Sequence, residues 1–172
     1  MDGESAINAQ RIYCHGMDRD LRRVRGVAEY QFGPGSGGAL FPDGVSFELS
    51  KRTGKVRFIR LGDVLLASLR PTDGMLTLTI AGAERLVSGV NPLGCTVTVL
   101  DDVGEFISQG KNVFAKHVVD AGAGIRPGDE VIVLDSKKRV LAVGRALLTR
   151  EEMLAFGVGV AVRTRRGRDR DR

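Results

Sequence analysis

At 172 residues the chain can form one medium domain or two small ones, and it is too short for a (β/α)8 barrel, which needs about 250 residues. Its composition, 42% hydrophobic and 27% charged, suits a compact soluble core, and no run of about 18 apolar residues is present to cross a membrane. The net charge of +5 looks basic until it is located: six arginines against two aspartates give residues 163–172 a charge of +4, so the body carries only +1. The start, Met1-Asp2-Gly3-Glu4, lacks the cationic-then-apolar order of a secretion signal, and a cytoplasmic protein is expected. Cys14 and Cys95 are the two cysteines; they form no disulfide framework and no Cys-x-x-Cys metal knuckle, and both are expected to be reduced.

In chain order, residues 18–30 space Leu21, Val24, Val27 and Ala28 three and four apart, which predicts an amphipathic helix with Asp18 or Asp20 as its N-cap. Residues 31–38 break it. Residues 45–50 and 55–60 alternate apolar and polar across Arg52-Thr53-Gly54, a hairpin signal. Residues 63–70 and 75–79 flank Pro71-Thr72-Asp73-Gly74 in the same way. A short helix over 80–87 closes this first unit, and residues 88–94 read as the linker. Beyond it, strands are expected at 96–100, 130–134, 139–146 and 158–163. Residues 103–108 read as a helical turn and 113–119 as extended or briefly helical. Residues 151–156 form a helix capped by Thr149 with Glu152 in the capping-box position. The arginine tail has no apolar periodicity and is expected to be disordered when free.

Several motifs invite chemistry and are better read otherwise. Gly33-Pro34-Gly35-Ser36-Gly37-Gly38 fits the spacing of a dinucleotide fingerprint, but the segment before it reads helical and the segment after it cannot open a helix, so a loop is expected. Cys14, His15, Cys95 and His117 lack paired ligand spacings, and no metal or cofactor is expected. Asp101-Asp102 and Glu151-Glu152 could share acid and base roles, yet solvation and helix N-terminal placement explain both pairs. Lys111, Asn112, Lys116 and His117 around Phe114 suit a groove that holds phosphates and stacks a base; the competing reading makes Val113, Phe114 and Val118 core. Gly144 inside a strand marks close approach by another backbone, and Arg145 beside it offers a bidentate phosphate donor.

Four segments in order then resemble a known family. Residues from about Cys95 to Arg165 resemble the PUA domain, an RNA-binding module named after pseudouridine synthases and archaeosine transglycosylases. The likeness is carried by Gly110-Lys111-Asn112-Val113, Ile125-Arg126-Pro127-Gly128-Asp129-Glu130-Val131, Val143-Gly144-Arg145-Ala146 and Gly159-Val160-Ala161-Val162. The first unit resembles the domain preceding PUA in archaeosine tRNA-guanine transglycosylase, through Tyr30-Gln31-Phe32-Gly33, Ala39-Leu40-Phe41-Pro42, residues 50–57 and residues 69–74. The resemblance implies an α+β protein: a small α+β domain over 1–92, a PUA-like pseudo-barrel of short strands and small helices over 93–164, and a basic tail over 165–172.

It also implies a noncatalytic tRNA-binding protein that serves a separately encoded transglycosylase, since the barrel that exchanges guanine in that family has no counterpart here. A general RNA- or ribosome-associated adaptor is the alternative. The RNA-facing residues are then Gly110, Lys111, Asn112, Phe114, Lys116, His117, Gly144 and Arg145, with Arg163, Arg165 and Arg166 of the tail. Residues 95–162 carry eight cations and nine anions, a charge of −1, so binding would rest on a local patch rather than bulk attraction.

Overall fold

The computed structural model describes residues 3–170, with side chains in the first helix from Met17 onward. Helix α1 (Gly3–Phe32) sends Leu21, Val24, Val27, Ala28 and Phe32 into the first core along one stripe. It begins well before the expected cap: with no proline ahead of Asp18, that residue and Asp20 are helix interior. Gly33 and Gly35 then take positive φ of 95° and 85° and end it. A second difference follows at once, since the short helix α2 (Ser36–Leu40) forms where a loop was expected.

Strands β1 (Ser46–Leu49), β2 (Val56–Leu61), β3 (Val64–Leu69) and β4 (Leu76–Leu78) form an antiparallel meander in sequence order. The expected 80–87 helix is α3 (Ile80–Gly89), capped by Thr79, whose hydroxyl accepts from the Gly82 amide at 3.1 Å.

The second sheet is assembled from β5 (Thr96–Val99), β6 (Val113–Phe114), β7 (Val118–Ala121), β8 (Glu130–Leu134), β9 (Val140–Ala146) and β10 (Val160–Gly167). Its order is β6-β10-β9-β8-β5-β7, antiparallel except for the β5–β8 pair. Helices α4 (Gly104–Ser108) and α5 (Arg150–Ala155) and a 3-10 turn at Ala115–His117 fill the connections. The predicted capping box on α5 is present in both directions between Thr149 and Glu152.

Strands β8 and β9 are buried on both faces, which is why they read as continuous apolar runs. Val131, Val133, Ala142 and Ala146 join Val97, Val99 and Val162 inside the pseudo-barrel. Ile132, Leu134, Val140 and Val143 face outward into the core of the first unit, with Cys95 beside them. The two sheets therefore share apolar contact.

The free edge of β4 is closed by side chains. Gln31 of α1 accepts from the Leu76 amide at 2.8 Å and donates to its carbonyl at 2.9 Å. At Leu78 the Glu130 carboxylate accepts from the amide at 2.8 Å, and the Arg165 guanidinium donates to the carbonyl at 2.6 Å. This protects the edge and ties the sheets together.

The described part of the tail, residues 163–170, takes regular structure where disorder was expected. Strand β10 runs through Arg163 and Arg165 to Gly167, and a 3-10 turn follows at Arg168–Arg170. Period-2 apolar alternation is absent after Val162, but ladder hydrogen bonds to β9 need no side-chain pattern.

Candidate nucleic-acid interface

Most of the predicted interface residues converge on one part of the pseudo-barrel, where β6, β10 and β9 lie side by side. Phe114 pairs with Val160 across the β6–β10 step and remains 45% exposed, whereas its neighbour Val113 is fully buried. The core reading holds for Val113 and fails for the aromatic ring. Gly110 has φ 89° and turns the chain between α4 and β6.

Asn112 holds this segment against β10: its side-chain oxygen accepts from the Thr164 amide at 3.0 Å, and the Thr164 hydroxyl donates to the Lys111 carbonyl at 2.8 Å. Asn112 thus has a structural use for its acceptor, and the Lys111 side chain is exposed. Lys116 and His117 fall elsewhere, on the 3-10 turn packed beside α5, where the His117 carbonyl accepts from the Leu100 amide.

Two predicted contacts acquire different roles. The close backbone approach expected at Gly144 comes from the protein itself. A Cβ there would collide with the Arg163 carbonyl oxygen and stand 3.0 Å from the Thr164 Cα. Gly144 is buried and lets β10 bend onto β9, so it offers no surface to a ligand.

Arg165 is the extra residue of a bulge, because Thr164 opposes Gly144 while Arg166 opposes Val143. The bulge re-aims its guanidinium at the Glu130 carboxylate, which it engages with both terminal nitrogens. A fork committed to an internal carboxylate is a poor phosphate donor, so Arg165 is a clasp between the sheets. Arg145 and Arg163 remain exposed, and Arg166 is exposed with an interaction of its own.

The other candidate motifs have structural surroundings of their own. The amides of Gly35 and Gly37, which a pyrophosphate would need, donate to the Glu29 carboxylate at 2.8 and 2.9 Å, so the glycine run already holds an internal anion. Asp101 accepts from the hydroxyl and amide of Ser136, which hold its carboxyl below the usual range. Glu151 and Glu152 sit in the first turn of α5.

Buried Asp135 is pushed up by desolvation. The Arg139 amide and guanidinium and the Lys137 amide outweigh this and hold it below the ordinary aspartate value. Burial pushes the Cys95 thiol up to about 12, far from a nucleophile's range. Cys14 and His15 lie outside the described side chains; among the described residues no three His, Cys, Asp or Glu side chains cluster as metal ligands. No helix among them is long and apolar enough to cross a membrane.

Residues 96–168 match the PUA domain, and residues 22–92 match the patch-forming domain C2 of tRNA-guanine transglycosylase. Residues 96–168 are a PUA domain. It covers the second sheet from β5 to β10, and the C2 match covers the end of α1, the meander and α3.

Among curated relatives, the tRNA-guanine(15) transglycosylase of Methanothermobacter thermautotrophicus is 45% identical over 148 residues, 86% of this chain and 23% of that protein. That of Thermococcus kodakarensis is 48% identical over 144 residues, 84% and 24%. The chain thus spans about a quarter of the length of the relatives it matches. The fold is shared with a hypothetical protein of Pyrococcus horikoshii at TM-score 0.71 and 22% identity, covering 87% of this chain and 90% of that one. It is shared also with a conserved PUA domain protein of Thermoplasma acidophilum at TM-score 0.64 and 23% identity, covering 87% and 89%.

Proposed function

We propose that this PUA-domain protein is a noncatalytic tRNA-binding unit. It positions the acceptor-stem region of tRNA for a separately encoded tRNA-guanine transglycosylase catalytic domain, and it works in the cytoplasm. The observation that carries this reading is the convergence on the β6-β10-β9 face of an exposed aromatic ring, Phe114, with the exposed cations Lys111, Arg145 and Arg163. A ring for a base and forks for phosphates are the two devices by which proteins hold unpaired RNA ends. The match to transglycosylases supports tRNA as the RNA.

Of the residues expected from sequence, Lys111, Phe114, Arg145 and Arg163 form the interface in this reading. Gly110 and Asn112 shape it, while Lys116 and His117 lie apart from it on the 3-10 turn beside α5.

Binding of the full chain to a tRNA transcript, with and without its 3′ CCA end and across a salt series, tests the reading. Tight binding that weakens on removal of the CCA end is expected. Binding indifferent to the RNA end would favour a general RNA adaptor, and no binding at low salt would overturn the RNA reading. Base exchange by the isolated chain would overturn the noncatalytic part.

A further inference from the structure

Arg145 of β9 and Arg163 of β10 stand directly opposite one another in the antiparallel register. Opposed residues point to the same face with Cβ atoms about 4.5–5.5 Å apart, and like charges in that position repel. Both are exposed, and among the described residues neither guanidinium has an ion-pair or hydrogen-bond partner. The acid that could neutralise them is nearby and already engaged. Glu130 opposes Arg145 across the β8–β9 step, but its carboxylate is held by Arg165 and by the Leu78 amide. The strand segment carrying Arg163 is fixed from its other side through Thr164, Asn112 and Lys111.

The result is two planar forks on rigid neighbouring strands, at the junction of the two sheets, with no ion-pair partner among the described residues. A tetrahedral anion between them relieves the repulsion and accepts from both, which a single carboxylate does less well.

We infer that Arg145 and Arg163 together bind one phosphate group. Its source as a phosphodiester of bound RNA rests on the proposed function; the site itself does not. The consequence is that RNA would be pinned at the domain junction by a shared phosphate, with Phe114 further along the same face.

The test is a double-variant cycle in the full chain, R145Q, R163Q and both, with a tRNA transcript across a salt series. Each single change is expected to weaken binding about tenfold and to flatten the log-log salt slope by about 0.7–0.9. The pair should do no more than either alone, because the same phosphate is lost. Additive losses with a doubled slope change, meaning two separate phosphates, would overturn the inference.

A second arm needs no RNA: thermal unfolding in inorganic phosphate against chloride at matched ionic strength. Phosphate should raise the wild-type midpoint above that of the double variant, and in chloride the double variant should melt no lower than wild type. If the wild type binds no tRNA yet shows the phosphate shift, the RNA reading fails and the site stands with free phosphate as its ligand. A non-additive cycle without a phosphate shift supports the site with RNA as the source. If neither arm distinguishes the variants, the site does not exist.

Discussion

Gly144 shows how a single missing atom can decide a strand. Its absent Cβ is what allows the Arg163 carbonyl to pass over β9, and the obstacle is backbone, which cannot rotate aside. Gly144→Ala should therefore cost about 3 kcal/mol, the upper end of overpacking, measured by urea unfolding. Gly124→Ala, with open space around the new Cβ, is the control and should be near neutral.

Cys95 offers a pH test at the same scale. Its thiol pKa rises from 9.0 to about 12, first through burial and further through nearby Glu130 and Asp129. The folded value exceeds the unfolded one, so the neutral thiol contributes stability that is fully present below pH 9 and is lost as pH rises from there towards 12. Urea midpoints at pH 8 and pH ~10.5 should show this loss, and Cys95→Val should remove the share due to Cys95. Iodoacetamide at pH ~8 should leave Cys95 unlabelled in the native protein and label it in denaturant; native labelling would refute its burial.

At the scale of elements, the bulge in β10 and the open edge of β4 solve each other's problem. An extra residue that would otherwise face solvent is turned towards Glu130, and the pair caps Leu78 on the neighbouring sheet. Removing the cation leaves a carboxylate that is only 6% exposed without its counter-charge. Arg165→Met is expected to cost about 2 kcal/mol in chemical unfolding, below the 3–5 typical of fully buried pairs, because the arginine is one-third exposed. The Glu130→Leu, Arg165→Met double variant should recover part of that loss; a double variant as unstable as the sum of its singles would show that the two do not act as a pair.

Short strands and caps were legible here because their signals are local. Residues 130–134 read as a strand and form one, and Thr149 with Glu152 reads as a capping box and is one. The start of α1 and the presence of α2 were not, since a possible N-cap does not stop a helix, and Glu29 pins the glycine run in a way no window of sequence reveals.

For the molecule as a whole, residues 163–168 matter to both sheets. Arg163 to Gly167 complete the ladder to β9, Arg165 closes β4, and Arg168 donates to the Val140 carbonyl and pairs with Glu84 of α3 at 3.1 Å. Truncation after Val162 should then lower the melting midpoint of the whole chain and broaden the transition, read by circular dichroism, rather than merely flatten a salt dependence. An unchanged midpoint would restore the view of this segment as a dispensable tail.

The sequence by itself determined the α+β class, most of the strands and helices, and the PUA resemblance. Those follow from apolar period, turn chemistry and motifs that lie within a few residues of one another. Only the tertiary structure decided which arginines are spoken for. Arg165 and Arg163 differ by two positions in a uniform basic run, yet a bulge commits one to Glu130 and strand register sets the other against Arg145. The physical reason is that a charge is free or neutralised according to what the fold places within a few ångströms of it, and the partners here come from strands 18 to 35 residues away.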